Sequence, residues 1–138
     1  MDFDKYNAAQ ATQNKNIIAI DFDGVVHRSS KGFYDGTIYD DPVDGSLEAI
    51  KKLNEQGYSL VMYTCKANPH RPLVNQKTGT DLIWEWLEGH GVSHYFLDVV
   101  WGKPWAAVYI DDKGYRFENW IDTLDFVNNL LGEKDEIN

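Results

Sequence analysis

The chain has 138 residues, 43% of them hydrophobic and 14% aromatic, with a formal net charge of −9, which suits one domain with a real core and not two. No apolar run approaches the ~20 residues that cross a bilayer, and the negative balance excludes broad, sequence-independent nucleic-acid binding, which needs a basic face. The single cysteine, Cys65, excludes an internal disulfide framework and a Cys-rich zinc site, so a reducing cytoplasm is the expected compartment.

Residues 1–15 read as a polar arm that lacks the apolar centre of a secretory signal. The folded domain is expected over 16–133, with 134–138 as a tail. Ile17–Phe22 is a short continuous apolar run, the pattern of a strand buried on both faces. His27–Asp41, rich in Gly, Ser and Asp, reads as a loop or short hairpin. Val43, Leu47, Ile50 and Leu53 then recur at helical spacing, with Gly57 placed to end the helix. "YSLVMYT", Tyr58 to Thr64, is a second buried strand. The connection that follows, "CKANPHRPLVNQKTG", is long and carries two prolines, and a structureless loop of that length is uncommon without a function. Thr78 or Thr80 is expected to cap a helix through "DLIWEWLEGHG" that stops at Gly89 or Gly91. "YFLDVVW" and "AAVYIDD" are further strands, and "NWIDTLDFVNNLLG" is an amphipathic helix stopped by Gly132.

Strands alternating with helices predict a mostly parallel, Rossmann-like sheet in a three-layer α/β/α sandwich with right-handed crossovers. Ligands in such sheets bind at the carboxyl ends of the strands. Asp21 and Asp23 follow the first strand, Thr64 ends the second, and Asp111 and Asp112 end the fourth. A lone Asp at a strand end is commonly a cap or a solvated turn residue. Two acidic pairs on one sheet repel each other unless a cation lies among them, and a hard divalent ion with oxygen ligands, Mg2+ first, is the natural neutraliser. A metal site without chemistry is the competing reading of the acids alone. Thr64 adds a hydroxyl at the same cleft, and Lys103, in the tight loop "WGKPWA", adds an ammonium. Acid, second acid, hydroxyl, ammonium and metal-binding acids are the parts of a phosphoryl-transfer site.

"DFDGV", Thr64 after its apolar run, Lys103-Pro104 and "YIDD" resemble, in order, the four motifs of the haloacid dehalogenase superfamily of phosphohydrolases. The resemblance runs from Ile17 to Asp112, with Val25 standing where the family usually has Thr. It implies that Asp21 attacks phosphorus to form an aspartyl-phosphate. It implies too that Asp23 gives a proton to the leaving oxygen and later takes one from water. Thr64 and N–H groups near Gly24 would cradle the phosphoryl oxygens, and Lys103 would offset the charge on Asp21 and the phosphate. Mg2+ would be held by Asp21, the main-chain carbonyl of Asp23 and Asp111, with Asp112 as ligand or close neighbour. A proton-transferring acid at Asp23 favours a phosphatase over a dehalogenase. The position of Lys103, ahead of Asp111 and Asp112, disfavours a response-regulator receiver.

The intervals between motifs leave no room for a cap domain, so a capless member is expected. Eight basic side chains, Arg28, Lys31, Lys66, Arg71, Lys77, Lys103, Lys113 and Arg116, fall in or beside loops that follow the strands and read as a basic rim that draws in an anion. Arg71 is placed for a bidentate contact with a second phosphate. Trp101, Trp105 and Trp120 read as core, with Trp105 the best placed of the three to stack on a base. Cys65, grouped with the phosphate-facing residues by its place beside Thr64, reads as a small buried filler with no activating base. "YIDDKGYRFENW" is similar to small bacterial and phage members related to the phosphatase half of polynucleotide kinase. That resemblance implies a nucleotide or a nucleic-acid 3′-phosphate as substrate, with sugar phosphates as the other class. The alternative is a non-catalytic relative that binds Mg2+ or phosphate.

Overall fold

The computed structural model of the chain describes residues 16–102, 104, 106–111 and 115–132. Strand β1 (Ile17–Asp21) lies at the centre of a sheet with β2 (Ser59–Tyr63) on one side and β4 (Val108–Asp111) on the other. β3 (Phe96–Val100) flanks β2, and the two-residue β5 (Tyr115–Arg116) flanks β4, giving the order β3-β2-β1-β4-β5 with every pair parallel. The expected α/β fold on a parallel sheet is present. Ile17 to Ile20 are wholly buried, and a central strand whose two faces are both covered needs such an uninterrupted apolar run.

Helix α1 (Ser46–Glu55) joins β1 to β2, and α2 (Gly79–Gly89) joins β2 to β3. Both steps cross the sheet in one direction, so right-handed crossovers put both helices on one face. The packing agrees: Ala49, Ile50 and Leu53 of α1, Ile83 and Leu87 of α2, and Trp120 and Val127 of α3 (Trp120–Val127) share one core with Ile18, Ile20, Leu60, Met62 and Ile110. The alternate positions Ile17 and Val61 pack with Leu97, Val100 and Ala106 on the other face. Among the described residues the helices therefore occupy a single face.

Local chemistry accounts for the helix ends. The α1 stripe is Ser46, Ala49, Ile50 and Leu53, with Val43 and Leu47 packed at its flank. Gly57, at φ 96°, lets its N–H reach the Asn54 carbonyl while Tyr58 bonds Leu53, a closure that needs a left-handed residue. Gly91 and Val92 close α2 the same way, so Gly91 and not Gly89 is its stop. Of the two threonines, Thr78 caps α2, in reciprocal bonds with Asp81. The final helix passes after Val127 into a π-helical turn over Asn128–Gly132. No described helix is long and apolar enough to cross a membrane.

Trp120 fixes the helical layer to the end of β1: its ring is buried and its indole N–H donates to the Val25 carbonyl at 3.1 Å. Trp120→Phe keeps an aromatic ring in the core but removes the indole N–H and part of the buried volume; the carbonyl left without its donor alone costs about 1–3 kcal/mol. Urea denaturation should show this as a lower midpoint at constant slope, and an unchanged midpoint would contradict the role given to the indole.

Candidate active site

β1 ends in Asp21, whose carboxylate accepts the Phe22 N–H at 2.7 Å. Register sets Asp21 beside Tyr63 of β2, while Ile20 lies beside Ile110 of β4. Asp111, one residue further along β4, therefore ends the strand next to the one that Asp21 ends. Alternation along β1 and β4 turns Asp21 and Asp111 to the same face, that of Ala19 and Tyr109. Tyr63 bridges this end of the sheet: its hydroxyl donates to Asp111 Oδ2, and its ring meets Tyr109 edge-on at 6.1 Å. Asp111 is buried.

Immediately after β1 the chain folds back on itself. The Phe22 carbonyl accepts N–H groups from Val25, Val26 and His27, and Gly24, at φ 82°, donates its own N–H to the His27 carbonyl at 2.7 Å. A positive φ there suits glycine and strains any residue with a side chain. The expected phosphate contact from the Gly24 amide thus meets an N–H that already has an acceptor. The turn carries the Asp23 side chain between two donors. His27 Nδ1 lies 2.9 Å from Oδ1, and the Lys66 ammonium lies 2.7 Å from Oδ2.

His27, which opens the Gly-, Ser- and Asp-rich loop read from the sequence, is wholly buried. Its ring stacks on Phe22 at 5.2 Å and meets Tyr39 and Trp86 edge-on. The Asp40 N–H donates to Nε2 at 3.0 Å. A nitrogen that accepts carries no proton, so Nδ1 bears it and donates to Asp23. The Asp40 carboxyl in turn is held down to about 2 by the Ser30 hydroxyl and amide and by the Asp41 amide.

Lys66 is no rim residue: only 4% of its surface is exposed. The turn Cys65–Ala67 puts it there, capped by the Thr64 hydroxyl, which accepts the Lys66 N–H at 3.2 Å. Gly79 opens α2 directly against the Lys66 main chain, where a Cβ would lie 1.7 Å from the carbonyl oxygen. Only glycine permits that approach. Burial by itself would raise the Asp23 pKa, but the hydrogen bonds from His27 and Lys66 and the charge of the ammonium outweigh it and hold the carboxyl below its ordinary value.

The remaining expectations divide. Asp21, Asp23, Thr64 and Asp111 all stand at the carboxyl ends of β1, β2 and β4 or directly beyond them. Thr64 is buried and, among the described residues, donates its hydroxyl hydrogen to none. Cys65 is exposed where a buried filler was expected, because the turn rotates Lys66 and Ala67 inward in its stead. Arg71 is half-buried with its guanidinium 4.5 Å from the centre of the Phe33 ring. Trp120 is core, whereas Trp101 is 52% exposed. Lys103, Trp105, Asp112 and Lys113 lie outside the described residues, as does the side chain of Arg116. Among the described residues no group of three or more His, Cys, Asp or Glu side chains is set to hold a metal. What they offer a cation is the pair Asp21 and Asp111, with the Asp23 carbonyl, which no described donor bonds.

Compared with known proteins, the chain matches no family model, no curated protein and no solved structure.

A folded-state pKa below the ordinary 3.8 means that the stabilisation from Asp23 is present above that value and is lost as pH falls through the folded one. In Lys66→Met the ammonium is gone while burial remains, so Asp23 protonates at higher pH. Acid titration followed by circular dichroism should show the variant unfolding at higher pH than the wild type. Superimposable titrations would contradict the pairing of Lys66 with Asp23.

Proposed function

We propose that the protein is a Mg2+-dependent phosphatase of the capless haloacid dehalogenase type, which hydrolyses a phosphate monoester through an aspartyl-phosphate on Asp21. The observation that carries the reading is the division of labour at the end of β1. Asp21 shares a sheet face with Asp111 at the end of the neighbouring strand, while Asp23, two residues on, is held in a separate clamp of Lys66 and His27. Two carboxylates in such different surroundings suit two roles, nucleophile and proton carrier.

Asp21 attacks phosphorus, the bond to the leaving oxygen breaks, and that oxygen takes a proton from Asp23. Before substrate enters, Asp23 is ionised and held so by Lys66. An incoming phosphate places negative charge beside it and competes for the same ammonium. Both effects raise the proton affinity of the carboxyl, which takes up a proton from solvent as the substrate binds, as an acid role requires. After transfer Asp23 is again a carboxylate and removes a proton from the water that attacks the phosphoryl group on Asp21, which regenerates the free side chain. His27 supports this cycle by fixing the carboxylate through a hydrogen bond from a neutral ring. The Thr64 hydroxyl and Lys66 hold phosphoryl oxygens, and Lys103 keeps the charge-balancing role that the family resemblance implies.

The donors proposed for the cation are all oxygens: Asp21, Asp111 and the Asp23 carbonyl, with Asp112 beside them in sequence. That set suits a hard divalent ion, and Mg2+ bound there would polarise the phosphoryl group and neutralise its charge. Substrates in view are nucleotides, nucleic-acid 3′-phosphates and sugar phosphates. One observation favours a second reading, that of a non-catalytic protein binding Mg2+ or phosphate: both Asp23 oxygens already have donors, as in a purely structural ion pair.

Phosphate release from p-nitrophenyl phosphate separates the two. The proposal predicts turnover that requires Mg2+, stops on chelation and falls to background in Asp21→Asn. Asp23→Asn should lower kcat by about 10²–10⁴-fold while leaving the Mg2+ affinity close to that of the wild type. A wild-type protein inactive across a broad panel of phosphate esters would instead establish the binding role.

A further inference from the structure

A cavity of about 260 Å³ opens beside the clamp, between the loop that follows β1 and the loop that follows β2. Phe33 and Asp35 line it from the first loop, and Lys66, Arg71, Leu73 and Val74 from the second. Lys66 joins the cavity to the chemistry: it lines the cavity, and its ammonium, 5.4 Å from the centre of the Phe33 ring, is the one bonded to Asp23. An occupant of the cavity therefore lies on the side of the site where the acid meets the leaving group.

The lining has a definite chemistry. Phe33 and Leu73 are large apolar side chains left 52% and 60% exposed. Two cations approach the Phe33 ring, Lys66 at 5.4 Å and Arg71 at 4.5 Å from its centre. Among the described residues Arg71 forms no ion pair with any carboxylate. The one acid in the lining, Asp35, is bonded to the Thr37 amide at 3.0 Å and to its hydroxyl. The cavity thus offers an apolar ring surface and a guanidinium that lies over it without a carboxylate partner among the described residues.

Both loops are built, not slack. Tyr39 accepts the Lys31 N–H and donates to the Gly32 carbonyl, each at 2.7 Å, and the Lys31 ammonium lies 4.7 Å from the centre of the Tyr34 ring. Residues 74–77 close a two-residue hairpin through paired Val74 and Lys77 bonds. Among the described residues the non-glycine positions with positive φ are Ser29, Tyr34, Asn75 and Gln76, all in these two loops.

We infer that this cavity receives the leaving group of the substrate, and that it selects a planar ring carrying a second anionic group. The ring lies against Phe33 and Leu73, and the anion pairs with Arg71. A cavity near 150 Å³ is enough for benzene, so 260 Å³ takes a substituted or bicyclic ring. The inference rests on the phosphatase reading for what is cleaved, but not for what is bound.

Binding of phosphonates, which are not hydrolysed, to the full-length protein with Mg2+ tests it by calorimetry. Methylphosphonate, benzylphosphonate and 4-(phosphonomethyl)benzoate add first the ring and then the second anion. Each addition should tighten binding by about five- to tenfold. Relative to methylphosphonate measured on the same variant, Phe33→Ala should abolish the gain from the ring and Arg71→Met the gain from the carboxylate. Circular dichroism confirms that these variants fold. Equal affinities for the three ligands, or gains that survive both substitutions, would overturn the inference. Failure of the phosphatase reading has a different mark, since a protein that releases no phosphate yet shows both gains would keep the cavity and lose the reaction.

Discussion

An ionised carboxylate with an ammonium on one oxygen and an imidazole N–H on the other organises this end of the molecule. Asp23 belongs to the turn after β1, Lys66 to the turn after β2, and His27 is joined through its second nitrogen to the main chain at Asp40. Three segments distant in sequence are thereby tied at one point. A buried ammonium without a partner is costly, so Lys66 and Asp23 hold each other in place. The ring stack of Phe22 on His27 and the Gly79 contact under Lys66 leave neither donor room to move.

The sheet supplies the other half of the site. Parallel strands bring their carboxyl ends together, and β1 runs between β2 and β4. Tyr63 and Asp111 stand on either side of it and still meet, the hydroxyl donating to the carboxylate across the end of β1. Asp21 is thus set among groups of the neighbouring strands, while Asp23 leaves the sheet at the Gly24 turn. One residue between two acids is enough to send them into different surroundings, because the strand ends between them. That separation is what allows distinct roles in the proposed chemistry.

Much of this was legible in the sequence. Apolar runs of strand length, the helical stripe of α1, and Gly57 and Thr78 as boundaries follow from periodicity and from capping chemistry, which act over a few residues. The neighbourhood of Asp21 and Asp111 followed from the general arrangement of parallel sheets. The partners of Asp23 did not. Lys66 reads in sequence as one more loop lysine. Its burial depends on the turn that exposes Cys65, on the Thr64 cap and on a glycine thirteen positions later. His27 reads as a polar loop residue, and its burial depends on aromatic contacts from Tyr39 and Trp86. The exposed Phe33 beside Arg71 carries no local signal, since neither the turn geometry nor the pairing of two loops is written in a short window. The connection after β2, which seemed structureless, holds a capped turn and a two-residue hairpin.

The proposed reaction turns on a phosphoryl group passing through Asp21, and trapping it is the most direct measurement. Asp23→Asn protein, in which removal of the adduct is slowed, is mixed with Mg2+ and a reactive aryl phosphate, quenched in acid, digested and read by mass spectrometry. The account predicts a phosphoryl adduct on the peptide spanning "NIIAIDFDGVV", assigned to Asp21 and missing when that residue is Asn. Phosphate release accompanied by an adduct on a different side chain, or by the same adduct after Asp21→Asn, would contradict it.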